Sequence, residues 1–390
     1  MPRSTPSRVF GTMPAGRFLK TYWQKQPLLV RGAFPGLKDP LTPDELAGLS
    51  CEPVVDSRLV LARGGPGPWQ VIRGPQRAAA LRKLPRSHWT LLVEGVDRHH
   101  PGIAALASAF SFLPGWRMDD VMVSLAPNHG TVDAHIDSYD VFLIQGQGRR
   151  RWEVDRRATA DYRSGLDLRI LKRFRPQESW ILEPGDMLYV PPGVGHRGVT
   201  VRSDTDVALT YSVGFRAPSF ADLLSSLLRQ ALGRESPLLF SDPARRAVAD
   251  PGELSSGDLA DLRRFVIGGI EAGGAEAWTL AAGEAVTAGG STTGSTGGRV
   301  AAGSVGRRLA RGAQLAPSPG VRVAWARLDK GRAALFVNGE SRVLSRGHAF
   351  AAPLFCGNVS SAATRRLAAN EDLLALATDL LRAGVLVLNH

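Results

Sequence analysis

His135 and Asp137 stand one residue apart in a strand-like segment. Side chains at i and i+2 of a strand share a face, so this imidazole and this carboxylate point the same way. A metal needs a third ligand. His196 closes the segment Glu183-Pro-Gly-Asp-Met-Leu-Tyr-Val-Pro-Pro-Gly-Val-Gly-His196, which reads as strand, Pro184-Gly185 turn, strand, Pro-Pro-Gly turn and histidine. A turn of this kind can bring His196 back beside the first pair. Two histidines and one carboxylate on one face of a metal leave three positions open, the facial arrangement of non-haem Fe(II) centres. Two open positions suit a keto acid and one suits dioxygen, and a tetrahedral zinc site lacks that room.

Alone, a His-x-Asp or a turn histidine says little. The spacing of Gly185, Pro191, Gly193 and His196 resembles the second motif of cupin barrels, and the joint pattern points to a metal. Between the two parts of the triad lies Val141-Phe-Leu-Ile-Gln-Gly-Gln-Gly-Arg-Arg-Arg-Trp-Glu-Val154, a hairpin with Gly146 and Gly148 in its turn. Alternation sets Arg150 on the face opposite Arg149 and Arg151. If Arg150 and Trp152 face inwards, Arg150 is a buried cation that needs an anion. The distal carboxylate of 2-oxoglutarate is a natural partner, because guanidinium grips carboxylate as a fork. Three exposed arginines on an edge strand are the other reading.

The elements that must position these residues are short strands punctuated by Gly and Pro, from about Asp56 to Phe215. They are Ser57–Leu61, Trp69–Ile72, Trp89–Val93, Val121–Ala126, Val141–Gln145, Arg150–Val154, Met187–Val190 and Val207–Val213. This spacing predicts an all-β barrel or sandwich. A helix through Phe18, Leu19, Tyr22 and Trp23 packs at its N-terminal end. After Pro218 the pattern turns helical: Phe220, Leu223, Leu224, Leu227, Leu228 and Ala231 form one stripe, either core or a dimer seam. A second helix covers Gly257–Gly268. Ala281–Ser304 is rich in Gly, Ala, Ser and Thr and reads as a flexible linker. Beyond it, strands Val321–Ala326 and Ala333–Val337, the hairpin signal Asn338-Gly339, helix Glu371–Arg382 and strand Val385–Leu388 suggest a winged-helix-like unit. The predicted class is therefore α+β, divided as a barrel with N-terminal helices at 1–216, a helical module at 217–280, a linker at 281–306 and a winged-helix-like domain at 307–390.

The chain has 390 residues and a formal net charge of +12. That charge leaves open a nucleic-acid-facing surface or arginines spread over solvated faces. The basic clusters, such as Arg149–Arg151 and Arg307–Arg311, are not interleaved with aromatics as a base-stacking platform would be. Two distant cysteines, Cys51 and Cys356, exclude a zinc knot and a disulfide framework. No apolar run is long enough to span a bilayer and the N-terminus lacks a signal-peptide core, so a cytoplasmic protein is expected.

The sequence resembles the bacterial ribosomal oxygenases, which are JmjC-type arginyl hydroxylases. The matching residues are Asp56-Ser-Arg-Leu-Val60, Trp69-Gln-Val71, Trp116-Arg-Met-Asp-Asp120, His135-x-Asp137-x-Tyr-Asp-Val-Phe142, Gln145-Gly-x-Gly-Arg-Arg-Arg-Trp152, Glu183-Pro-Gly-Asp186 and Tyr211-Ser-Val-Gly-Phe-Arg-Ala-Pro218. The resemblance implies a JmjC cupin barrel (a double-stranded β-helix), a helical dimerisation module and a C-terminal winged-helix domain. It implies Fe(II) on His135, Asp137 and His196, and 2-oxoglutarate on Arg150 assisted by Ser124. The substrate implied is an arginine of large-subunit ribosomal protein number sixteen, hydroxylated at its β-carbon by a homodimeric enzyme. Asp133-Ala134 stands where Gly-Pro is the family pattern, and Thr200 stands where many cupins carry Asn.

An arginine substrate needs negative or aromatic partners, yet the enzyme is itself basic. Asp119, Asp120, Asp133 and Asp140 lie near the triad in sequence and can offset that charge. Asp120 is the candidate substrate carboxylate and Tyr139 the flanking ring. The alternatives are a JmjC hydroxylase or demethylase acting on another protein or on RNA, and an inactive cupin serving as a binding module.

Overall fold

The strand Asp140–Gln145 is buried along its whole length because both of its faces are covered. Val141 and Leu143 pack with Trp152, Val154, Leu182, Leu188 and Val190. Phe142 and Ile144 pack on the other side with Phe10, Phe18 and Phe110. Period-two alternation with apolar residues on both faces marks a barrel wall with a second layer outside it.

The computed structural model describes residues 9–62, 69–232, 239–243, 252–290 and 302–389. The chain divides into two units, Met1–Ala217 and Pro218–His390. The first unit opens with α1 (Ala15–Thr21), β1 (Leu28–Val30), α2 (Pro43–Leu49), β2 (Ser57–Ala62), β3 (Trp69–Arg73), α3 (Ala78–Leu81), β4 (Trp89–Val93) and α4 (Pro101–Ser108). The barrel strands follow: β5 (Met118–Pro127), β6 (His135–Ile136), β7 (Asp140–Gln145), β8 (Arg149–Asp155), β9 (Glu178–Leu182), β10 (Met187–Val190), β11 (Gly195–Val201) and β12 (Val207–Phe215). One sheet runs β1-β10-β7-β12-β5-β4-β2-β3 and the other β6-β11-β8-β9. The β-rich barrel expected from the Gly and Pro punctuation is therefore present, with strand ends mostly within a residue or two of the expected ones.

Aromatic packing fixes the helical layer to the major sheet. The Phe18 ring of α1 lies edge-on to Tyr189 at 4.9 Å and tilted against Phe142 at 5.7 Å. Each such buried side chain contributes about 1.5–3 kcal/mol. A polar tie crosses the same layer. Buried Asp140 accepts hydrogen bonds from the Tyr189 hydroxyl at 2.6 Å, Gln24 Nε2 at 3.0 Å and Arg117 Nη2 at 3.1 Å.

The second unit comprises α5 (Phe220–Leu232), α6 (Ser256–Glu271), α7 (Gly274–Thr287), α8 (Ala302–Ala310), β13 (Gln314–Pro317), β14 (Val323–Arg327), β15 (Ala333–Val337), β16 (Glu340–Leu344), α9 (Ala352–Phe355), α10 (Ser361–Ala368), α11 (Glu371–Arg382) and β17 (Leu386–Asn389). Strands β14, β15 and β16 form one sheet, and β13 pairs with β17. Val305, Leu309, Leu367, Leu373 and Ala377 from α8, α10 and α11 share one core.

The linker reading needs correction. Composition predicts a flexible stretch from Ala281, but α7 continues to Thr287 with Ala281, Gly283, Glu284 and Thr287 buried. The small residues serve close packing. A Cβ on Gly283 would fall 2.2 Å from Cζ of Phe336 in β15, so only glycine lets the helix rest on that ring. Glu284 then accepts from Gln230 of α5 at 2.8 Å and Ser341 of β16 at 2.6 Å. The expected boundary between helical module and C-terminal domain is thus crossed by one helix. Helix α8 also begins inside the expected linker, and residues 291–301 lie outside the described residues. Among the described residues no helix is long and apolar enough to cross a membrane, and Cys51 and Cys356 are both free.

Candidate metal centre

Strand β6 pairs with β11 so that His135 lies directly opposite His196. Their rings are 4.3 Å apart between centroids. Asp137 follows on the same face as His135 and closes the triangle, with Oδ1 3.8 Å from His135 Nε2 and Oδ2 3.5 Å from His196 Nε2. One potential ligand atom from each residue falls within 4.8 Å of the others. The backbone pins this corner, since the Gly193 N–H donates to the Asp137 carbonyl at 2.9 Å across the Pro191–Gly193 turn. Gly193 sits at φ +81°, where a side chain would be strained.

The tautomers follow from the backbone. His135 Nδ1 lies 3.0 Å from the Asp133 carbonyl and His196 Nδ1 lies 3.1 Å from the Val194 carbonyl. A carbonyl only accepts, so each Nδ1 carries the proton and each Nε2 keeps a lone pair for a metal. Burial pushes the His196 pKa down to about 4, with neighbouring His135 adding to the effect, so this imidazole is neutral. Two imidazoles and one carboxylate converge without a fourth protein ligand among the described residues, and this donor set fits a divalent metal with open positions.

Further into the barrel, the register of β8 and β11 sets Val154 opposite His196, Trp152 opposite Gly198 and Arg150 opposite Thr200. All face inward, and Arg149, Arg151 and Glu153 face out. Arg150 is only 3% exposed. Its Nη1 donates to Ser124 Oγ at 2.9 Å and its Nη2 to the Gly198 carbonyl at 3.3 Å, while its Nε has no partner. Burial pushes its pKa down to about 10, so it remains a cation near neutral pH. Among the described residues no carboxylate pairs with it. A buried charge in this condition is costly unless an anion joins it. The alternative of three exposed arginines on an edge strand fails: β8 lies between β11 and β9, and of the three only Arg151 is exposed.

Two neighbours of this cation were not singled out as ligand contacts from sequence. Thr200 Oγ1 and Trp152 Nε1 are buried without partners, on the same inward rows as Arg150. The inward alternation of Arg150 and Trp152 is the signal that reaches them. Gly198 leaves the room: a Cβ there would meet Arg150 Nε at 2.6 Å and the Trp152 ring at 2.7 Å.

Asp120 and Tyr139 are brought together, because a Cβ on Gly214 would contact both, at 3.7 Å from Asp120 Oδ1 and 3.8 Å from Tyr139 Cδ2. The register between β5 and β12 slips here. Val213 pairs with Val121 but Phe215 pairs with Met118, so β5 holds one extra residue across Asp119 and Asp120. Such a bulge re-aims side chains. Asp120 Oδ2 accepts from the Gly95 N–H at 2.8 Å and makes no ion pair among the described residues. Burial, reinforced by Asp119 and Asp97, pushes its pKa up to about 6. Tyr139 is pushed upward by burial and by Asp137 and Asp120, so its hydroxyl stays protonated. The other three acids are engaged elsewhere. Asp119 lies 3.5 Å from Arg216, Asp133 accepts from its neighbour's N–H and lies 3.7 Å from Arg197, and Asp140 belongs to the buried tie. Of the four acids proposed to offset an arginine, only Asp120 is left to do so.

Residues 105–223 match the JmjC domain family model. The ribosomal protein uL16 3-hydroxylase of Escherichia coli K12 is 40% identical over 252 residues, which cover 64% of this chain and 65% of that protein. A probable ribosomal oxygenase of Haemophilus influenzae is 33% identical over 247 residues, 63% of this chain and 60% of that protein. These alignments thus span a little under two thirds of either relative. In three dimensions the match is longer. YcfD of Escherichia coli superposes with a TM-score of 0.83 at 32% identity, covering 97% of this chain and 99% of that one. The structure of YcfD, a ribosomal oxygenase, with cobalt and 2-oxoglutarate matches over the same extent with a TM-score of 0.81. With nearly the whole of such an enzyme matched at this identity, the chain belongs to the ribosomal oxygenase family, whose barrel is a JmjC domain.

Proposed function

We propose that the protein is an Fe(II)- and 2-oxoglutarate-dependent oxygenase that hydroxylates an arginine β-carbon of large-subunit ribosomal protein number sixteen, uL16. The observation that carries the oxygenase reading is the buried Arg150 cation, without an acidic partner, on the same inward face as a two-histidine, one-carboxylate cluster. When bound, the iron and the keto acid supply oxidative decarboxylation coupled to hydroxylation of an unactivated carbon. His135, Asp137 and His196 would hold the metal. Arg150 and Ser124 would grip the distal carboxylate, and Thr200 Oγ1 is free to add a hydrogen bond. Trp152 and Gly198 shape the space and keep water from the Arg150 side. Asp120 and Tyr139 would receive the substrate guanidinium, the first by charge and the second by its ring. The substrate assignment draws on the activity in the name of the Escherichia coli relative.

The protein acts as a homodimer in this reading. Support comes from apolar side chains of the second unit left uncovered, including Phe220 at 80% exposure, Leu259 at 53% and Val266 at 57%. A cytoplasmic location follows from a ribosomal-protein substrate. The test of cofactor binding is spectroscopic. Fe(II) and 2-oxoglutarate mixed anaerobically with the protein should give a visible charge-transfer band, lost in Asp137→Ala. Absence of the band in the native protein would favour the inactive binding module.

A further inference from the structure

A cavity of the first unit lies apart from the metal centre. It holds about 520 Å³ and lies on the outer side of the minor sheet, where Arg197 and Val199 of β11 point away from His196, Gly198 and Thr200. None of the triad residues lines it. Its volume is in the range of small-ligand sites.

Two kinds of side chain meet there. The first is flat. His88 and His129 stack with ring centroids 4.9 Å apart at 25°, and Trp69 stands on the same wall. Both histidines are fixed from the backbone, His88 by its N–H to the Asn128 carbonyl at 3.1 Å and His129 by its N–H to the Thr200 carbonyl at 2.9 Å. The second kind is cationic. Arg163, Lys172 and Arg197 line the cavity against a single carboxylate, Asp133. Arg197 is tied to Glu153 at 2.7 Å and rests over Phe174 at 5.4 Å, and Lys172 pairs with Asp161 at 2.7 Å. Arg163 has no acidic partner among the described residues. In sequence these aromatics and cations are scattered from Trp69 to Arg197, and only the fold interleaves them.

We propose that this cavity binds a nucleotide, with the base on the histidine pair or Trp69 and the phosphate on Arg163 and Lys172. Stacking rings beside cations are what single-stranded RNA binders use. Arg163, left without an acidic partner among the described residues, disfavours a basic protein segment, and an acidic one has no need of the rings. The inference stands apart from the oxygenase reading, since it uses none of the triad residues, Arg150 or Asp120.

The test measures binding of an end-labelled short oligo(A) RNA by anisotropy and of AMP by calorimetry. The full native chain is compared with Arg163→Gln and with His129→Asn, the latter because asparagine tolerates the left-handed φ of that position. Each substitution should weaken RNA binding at least about fivefold. Arg163→Gln should also flatten the logarithmic salt dependence by about 0.7. Thermal midpoint and 2-oxoglutarate turnover should be unchanged in both variants. AMP binding with the same losses assigns a free nucleotide as sufficient, and RNA binding alone assigns the strand. The proposal is overturned if neither ligand binds, if the substitutions leave affinity unchanged, or if a polyglutamate peptide binds as tightly as RNA.

Discussion

The Nδ1 atoms of His135 and His196 are both committed to backbone carbonyls, which leaves one lone pair on each ring directed at the carboxylate of Asp137. A sequence can show the types and spacing of such ligands but not their tautomers. At this scale Arg150 gives the clearest quantitative prediction. Arg150→Lys keeps a charge but loses the fork, so the KM for 2-oxoglutarate should rise roughly tenfold to a hundredfold in steady-state assays. An unchanged KM would separate Arg150 from the keto acid. Asp120 predicts a pH dependence. Its carboxyl titrates near 6, and only the ionised form attracts a guanidinium. The KM for a uL16 peptide should therefore rise as pH falls through about 6, in contrast to a pH-independent, elevated KM for Asp120→Asn. A wild-type profile as flat as that of the variant would remove Asp120 from substrate binding.

Elements carry the next level of explanation, and glycine is where they are most exposed to test. An alanine inside a helix is ordinarily about 1 kcal/mol better than glycine. Gly283→Ala should instead destabilise the second unit by about 1–3 kcal/mol in denaturant unfolding, because its methyl meets the Phe336 ring. Equal or greater stability would mean that α7 can lift from the sheet at no cost. How much was legible varied with the physics of each segment. Strands β4, β10 and β15 and helix α11 fall at the bounds read from apolar runs and turn residues, because there local pattern and tertiary burial agree. Strand β9 is expected only as an unbounded strand before the Pro184-Gly185 turn, since Glu178 and Ser179 open it and only Leu182 is buried. The end of helix α7 has the composition of a linker because its glycine and alanine serve close approach. The bulge that turns Asp120 toward Tyr139 is a mismatch between two strands and has no signature in either alone.

At the scale of the whole molecule, charge and uncovered apolar surface matter most. Leu259, Val266 and Ile267 of α6 remain exposed in the single chain. If the homodimer forms through this surface, Val266→Glu should convert it to a single-chain species in sedimentation. A dimer unaffected by the charge would place the interface elsewhere. The formal charge of +12 repels a basic substrate overall, so its approach would depend on local acids rather than on the overall field.

The most direct test of the central claim is mass spectrometry of unmodified uL16 incubated with the protein, Fe(II), 2-oxoglutarate and oxygen, with Asp137→Ala as control. One added oxygen is expected on a single arginine β-carbon, absent with the variant. Oxygen on another residue or none at all, with 2-oxoglutarate still consumed, would contradict the substrate; no consumption of 2-oxoglutarate would contradict the oxygenase.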